Sequence, residues 1–262
     1  MIRLVDAELR KLLTVRLTYG MVALALGLTA LFATLEGSRA GSAGSGVAPL
    51  DTAAGLRAAT TVTGFAMLVA AALGAIVAAG EFRQATAWLT YSTTPGRARV
   101  LVAKTIVAVL AGAVIGLLAG ALATGVGITF AASEGPLALG AGTTIRDIGG
   151  AICGAAALAA LGLGIGTLVR SQFAAVIGIF VWAIVIESAL GGFFTSLRPF
   201  LPYTAATTLA GVRLGGAAFG PAHGESGAAG PLPFLGALAL LFALATAVSL
   251  IASRTTLRRD IA

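Results

Sequence analysis

From Ile148 to Phe194 the chain reads IGGAICGAAALAALGLGIGTLVRSQFAAVIGIFVWAIVIESALGGFF, two apolar runs parted only by Arg170, Ser171 and Gln172. About 20 apolar residues carry a helix across the hydrocarbon core of a bilayer, and each run reaches that length. The short polar break turns the chain back on itself, so the two helices are expected to be antiparallel neighbours. Four more runs of the same kind lie outward from this pair, roughly Leu17 to Leu35, Ala58 to Gly80, Val102 to Ala131 and Leu232 to Ser253. Together with Ile148 to Val169 and Phe173 to Phe194 they predict an all-α integral membrane protein. It has six transmembrane helices in one transmembrane domain, residues 1–262. The third run is long enough to tilt or to project beyond the bilayer.

Composition agrees. Of 262 residues 58% are hydrophobic and 10% charged, against roughly 25% charged in soluble domains. The 36 glycines would weaken soluble helices by about 1 kcal/mol each relative to alanine, but in a membrane small residues let helix backbones approach closely. Gly112, Gly116 and Gly120 form a stripe at four-residue spacing, for which packing within the chain is favoured over a dimer seam. Gly162, Gly164 and Gly166 do not share one helical face. With a single cysteine, Cys153, no internal disulfide or cysteine-based metal cluster is expected. His223 and Glu225 share a Pro/Gly-rich loop but do not make up a metal site. No catalytic residue and no metal ligand is expected.

Charge gives the orientation, because Lys and Arg accumulate in cytoplasmic loops. Twelve of the 17 Lys and Arg residues fall on one side: before the first run, after the second and fourth, and in the tail. The opposite loops hold Arg39, Arg57, Arg146, Arg198 and Arg213, balanced by Glu36, Asp51, Glu134, Asp147 and Glu225. Both chain ends are thus expected in the cytoplasm, and the net charge of +7 reflects topology, with no pattern that suits nucleic acid. Ile2, Val5, Leu9, Leu12 and Leu13 recur at helical spacing among charged residues. This predicts an amphipathic interfacial helix over residues 1–16, in preference to a cytoplasmic extension of the first span. The segment is too charged for a cleavable signal peptide. Between the last two spans, residues 198–231 form an outer loop. There Pro199 and Pro202 break the chain, and Thr204 to Val212 (TAATTLAGV) is too short to cross, so a short re-entrant or interfacial helix is expected.

The loop GEFRQATAWLTYSTTPGRARVLVAK, Gly80 to Lys104, holds Trp88, Leu89 and Tyr91 beside basic residues. An aromatic and aliphatic patch rimmed by charge suits docking to a protein or to lipid headgroups. Glu81, Phe82, Arg83, Thr86, Pro95, Arg97 and Lys104 resemble the E-(F/Y)-(K/R)-x-x-T…P-x-(K/R)…K region of permeases of the ABC type-2 exporter family. Ala85 stands where Gly often precedes the Thr. The stretch Val181 to Gly211 and the whole arrangement of spans are similar as well.

The resemblance implies a permease half that dimerises, with an identical or related copy, and binds two separate ATPase subunits. Glu81, Phe82, Arg83, Thr86, Trp88, Pro95 and Arg97 would form the ATPase contact in a coupling loop, residues 81–101. It also implies outward movement of an amphiphilic or hydrophobic substrate such as a drug, antibiotic, lipid or peptide, as in multidrug efflux, from a bacterial cytoplasmic membrane. The sequence holds no G-x-x-x-x-G-K-[ST] phosphate loop, so ATP and Mg would belong to the partner chain and this chain would not be an enzyme.

Glu187 is the ionisable group well inside the fifth run. Such groups are costly in lipid and face a partner or a water-filled cavity. Substrate contact, a pair with Arg198 and hydrogen bonding across a dimer seam are the roles open to it. A stand-alone secondary transporter or channel is the alternative reading of the chain, and a lipid-acting membrane enzyme lacks the His/Asp/Glu constellation it would need.

Overall fold

Where no water is at hand, each backbone N–H and C=O must be paired internally, and a helix does this within its own segment. The computed structural model describes residues 1–42, 45, 47–83, 97–132, 140–212 and 232–255, and every regular element among them is helical. In chain order these are α1 (Ile2–Thr14), α2 (Arg16–Arg39), α3 (Ala53–Thr60), α4 (Gly64–Arg83), α5 (Arg97–Ala131), α6 (Ala141–Val169) and α7 (Gln172–Phe180). A π-helical segment, Val181–Ile186, leads into α8 (Glu187–Phe193), and a 3-10 turn, Arg198–Phe200, precedes α9 (Pro202–Leu209) and α10 (Phe234–Thr255). Six stretches are long and apolar enough to cross a membrane: Arg16–Arg39, Ala53–Gly80, Arg99–Ala131, Gly142–Val169, Gln172–Phe193 and Phe234–Thr255.

The boundaries differ from the apolar runs wherever a helix continues through polar residues. The fourth span begins at Ala141 rather than Ile148, because Thr143, Arg146 and Asp147 can be helical without being apolar. Its far end matches the expected turn. Arg170 is in the left-handed conformation at φ 56°, and the Ser171 hydroxyl accepts from Ala174 N at 3.4 Å to start α7. With 35 residues α5 is about 52 Å long, well beyond the roughly 30 Å hydrocarbon core.

The second span is broken, which its hydropathy does not reveal. α3 ends where Thr60 and Thr61 turn their hydroxyls onto Arg57 O, at 3.3 and 2.8 Å. Such side chains compete with the helical ladder for backbone groups. The backbone resumes when Met67 N bonds Thr63 O at 3.1 Å.

The fifth span carries the opposite irregularity, a widened turn. Its buried residues Ala175, Ile179, Ala183 and Glu187 recur every fourth position. In a 3.6-residue helix such a stripe drifts about 40° per step. The i→i+5 bonding over Val181–Ile186, where Glu187 N donates to Trp182 O, slows the drift and keeps Glu187 facing inward.

α6 is the centre of the bundle. It packs against α4, α5, α7, α9 and α10. Burial follows: 78% of the second span and 61% of the fourth are enclosed, against 17% of the sixth. Small residues make this possible. A Cβ added at Gly112 would lie 2.6 Å from Ala155 O, one at Gly116 would strike the backbone of Ala151, and Gly120 faces Ile148 and Ala151. The four-residue stripe of α5 therefore packs against α6 within the chain. Gly162 and Gly166 press on Ala71 and Ala75 of α4, whereas Gly164 turns to Val248 of α10. The alternation that shares no face serves two neighbours.

Candidate functional site

Polar side chains gather at three places in this apolar bundle. The first is around Glu187, 3% exposed at the start of α8. Its Oε1 accepts from Trp182 Nε1 at 3.0 Å and from Tyr203 N at 2.9 Å. Its Oε2 accepts from Thr204 N at 2.9 Å and Thr204 Oγ1 at 3.2 Å. The reason lies in α9. Leu201 occupies its N-cap and has no side-chain acceptor, and Pro202 at the first position has no N–H to satisfy. The next two amides are orphan donors at the positive end of a helix. A carboxylate suits them, and the fifth span supplies it across the fold. Arg198, the partner weighed from sequence, is not among the groups bonded to it.

The helix that Glu187 caps is the expected short one, but it lies inside protein. Tyr203, Thr204, Ala205, Ala206, Thr207 and Leu209 are all buried. α9 packs on α6 and α10, with Ala206 O only 2.8 Å from where a Cβ would stand on Gly154. Thr207 Oγ1 is within 3.0 Å of both Tyr203 O and Thr204 O, so this hydroxyl is satisfied inside its own helix. Tyr203 Oη and Thr63 Oγ1 are buried without a hydrogen-bond partner among the described residues.

The second place joins α1 to α5. Lys104 Nζ lies 2.7 Å from Glu8 Oε2, and Lys11 Nζ lies 2.7 Å from Glu8 Oε1. Glu8 and Lys104 are each 3% exposed by side chain, so Lys104, counted from sequence with the basic residues of the loop after the second span, sits inside α5 and pairs with Glu8. Burial pushes the Glu8 carboxyl up. The charge and hydrogen bond of Lys104, helped by Lys11, outweigh this and hold it below its usual 4.5. A signal for the pair existed, because Glu8 falls on the apolar stripe between Val5 and Leu12, where an acid is out of place without a partner.

The third place is at the other end of the bundle. Arg57 of α3 grips Asp147 of α6 through two bonds, Nη2 to Oδ1 at 2.6 Å and Nε to Oδ2 at 3.0 Å. Gly211, at φ +71°, closes over the pair, and a Cβ there would come 2.6 Å from Arg57 Nη2. The position therefore needs glycine for its conformation and for space. These two charges, which sequence reading left as separate loop residues, neutralise each other and tie the start of the second span to the start of the fourth.

Compared with known proteins, the sequence matches no family model and no curated relative.

Of the residues expected to contact an ATPase, Glu81, Phe82 and Arg83 form the last turn of α4 and Arg97 opens α5. Thr86, Trp88 and Pro95 lie outside the described residues. Among the described residues no three His, Cys, Asp or Glu side chains come together as a metal site. Sequence reading found Glu187 because an acid in an apolar run stands out. It missed Glu187's partners because two of the four donors are backbone amides, which no side-chain pattern reveals.

Proposed function

We propose that this chain is the membrane-spanning permease subunit of an ATP-driven exporter of the ABC type-2 kind, working as half of a dimer and coupled to two separate ATPase subunits. The observation that carries the reading is the segment Glu81 to Lys104, with its E-F-R…T…P-G-R…K pattern between the second and third of six apolar spans. Several structural facts are compatible with it. The segment leaves from the end of α4 and returns through α5, whose Lys104 anchors the amphipathic α1 at the same end of the bundle. In this reading that end is cytoplasmic, α1 lies along the membrane interface, and α9 is a re-entrant helix on the outer side. The membrane is the cytoplasmic membrane of a bacterium, and ATP and Mg sit on the partner.

The substrate class is amphiphilic or hydrophobic, carried outward between the two permease copies. A secondary transporter driven by protons is disfavoured because Glu187's oxygens are committed to Trp182 on its own span and to Tyr203 and Thr204 of α9, and among the described residues no acid or histidine bonds to it.

Copurification from the native membrane tests the proposal. An ATPase subunit should come down with the chain, and its ATP hydrolysis should drive outward transport in vesicles. Glu81→Ala combined with Trp88→Ala should lower coupled transport at least tenfold without reducing the amount of six-span protein in the membrane. Recovery of the chain without any ATPase, or gradient-driven transport by the purified chain alone, refutes it.

A further inference from the structure

A cleft of about 270 Å³ opens between α6, the fifth span and α9, with α4 as its floor. Leu68 and Ala71 come from α4, Leu158 and Ile165 from α6, and Gly178 and Ala183 from the fifth span. Its lining is almost wholly apolar. Glu187 and Tyr203 close one end, yet Glu187's oxygens are taken by Trp182, Tyr203 and Thr204, and Tyr203 directs its hydroxyl at Gly64, where a Cβ would lie 2.7 Å away. The one uncommitted polar group of the lining is thus the Tyr203 hydroxyl, and it is turned to Gly64, which lies outside the cleft.

Its position selects the occupant. Ile177, Val181 and Val185, on the fifth span beside the cleft, are each more than 40% exposed, so this rim faces lipid once the spans are in a bilayer. From Gly178 to Glu187 the helix rises about 13 Å, close to half of the roughly 30 Å hydrocarbon core. The cleft therefore sits near mid-depth of the spans: Leu158 lies about halfway between Asp147 and Arg170 along α6, and Ile165 lies nearer Arg170. A nearly apolar hollow that opens to hydrocarbon at Gly178 and Trp182 takes what surrounds it.

We propose that this cleft is a binding site for one acyl chain of a membrane lipid, drawn in between α6 and the fifth span from the adjacent leaflet. It requires that the six helices cross a membrane but not that the chain works with an ATPase, so it can fail or succeed independently of the exporter reading. Gly178 is the entry position: it lines the cleft, and a Cβ there meets nothing within 4 Å, so a side chain can start there in open space. Gly192, further along the same span, is equally open but lies outside the cleft and serves as control.

The full chain is reconstituted in vesicles of phosphatidylethanolamine and phosphatidylglycerol doped with a phospholipid bearing a photoreactive diazirine in its acyl chain. Adducts are then mapped by peptide sequencing. Leu68 and Leu158 are 1% and 4% exposed, out of reach of lipid that merely surrounds the protein. Adducts on these two are expected, reduced at least tenfold in Gly178→Leu and retained in Gly192→Leu. Adducts confined to outward residues such as Ile177 and Val185 overturn the proposal, as does labelling of Leu158 that Gly178→Leu leaves unchanged. The wild-type map decides the first point even if a variant does not fold.

Discussion

Glu8 and Glu187 are equally enclosed, each with 3–4% of its surface exposed, but they are kept from water by different means. Glu8 meets a full opposite charge on Lys104 and a second on Lys11. Glu187 meets no cation: amides at a helix start, an indole N–H and a hydroxyl surround it. The difference follows from what each joins. An ion pair fixes one point and tolerates rotation about it, which suits a helix laid against the base of α5. Several directional donors fix the direction as well as the place of α9, which must fit between α6 and α10.

Lys104→Met breaks the first arrangement most severely. It leaves Glu8 buried with only the half-exposed Lys11, and a loss of about 3 kcal/mol or more is expected in reversible unfolding in mixed micelles. The double variant Glu8→Gln with Lys104→Met should regain most of this, since replacing both members of a buried pair by groups of similar shape is often near neutral. If the double variant is no better than the single one, the pair is not the joint.

Glu187→Ala comes next, at about 2–3 kcal/mol, because it orphans buried amides and removes the cap of α9. Proteolysis within residues 213–231 should become faster in the same variant. Glu187→Gln should lie between Ala and wild type, since its oxygen still accepts while its NH₂ group meets donors. Equal losses for Ala and Gln would mean that the negative charge matters more than the bonds.

Acid should act on α1. Glu8 titrates below its usual 4.5 in the folded protein, so the folded state binds the proton less readily than the unfolded chain. Its stabilising contribution is complete above 4.5 and is lost as pH falls through the lowered folded value. Hydrogen exchange of residues 2–14, corrected for intrinsic rates, should stay constant above 4.5 and rise as pH falls from there through the lowered folded value. Loss of protection on going from pH 7 to pH 9 instead would assign the joint to another group.

Tyr203→Phe should have the smallest effect, within about 0.5 kcal/mol, because the hydroxyl removed has no hydrogen-bond partner among the described residues while the backbone amide that binds Glu187 remains. A loss above 1 kcal/mol would show that the α9 cap extends to the ring hydroxyl.

The helices of this fold were legible because lipid-soluble length is a local property: each apolar run carries its own reading. Joints are not local. Glu8 and Lys104 are 96 positions apart, and Arg57 and Asp147 are 90 apart. Nothing in one stretch names the other. The break at Thr61 was hidden because threonine counts as nearly neutral in hydropathy while its hydroxyl competes for helix carbonyls. The π-helical turn was hidden because Val181 to Ile186 is as apolar as any α-helix. The glycine stripe of α5 was readable as a packing surface, but its partner emerged only when α6 lay across it.

The glycine faces of α6 also bear on the order of manufacture. The ribosome delivers α4 and α5 before α6, so the surfaces that receive Gly162 and Gly166, and the stripe that receives Ala151 and Ala155, are already in the membrane when the fourth span arrives. The contacts with α7, with α9 and with Val248 of α10 must wait for later chain. The protein can therefore complete the backbone junctions of α6 with α4 and α5 while still being made, whereas Gly150 meets Leu209 of α9 only later. A lesion at one of these glycines would act at biogenesis, as a chain stalled beside the insertion machinery, before any finished molecule exists to be unstable.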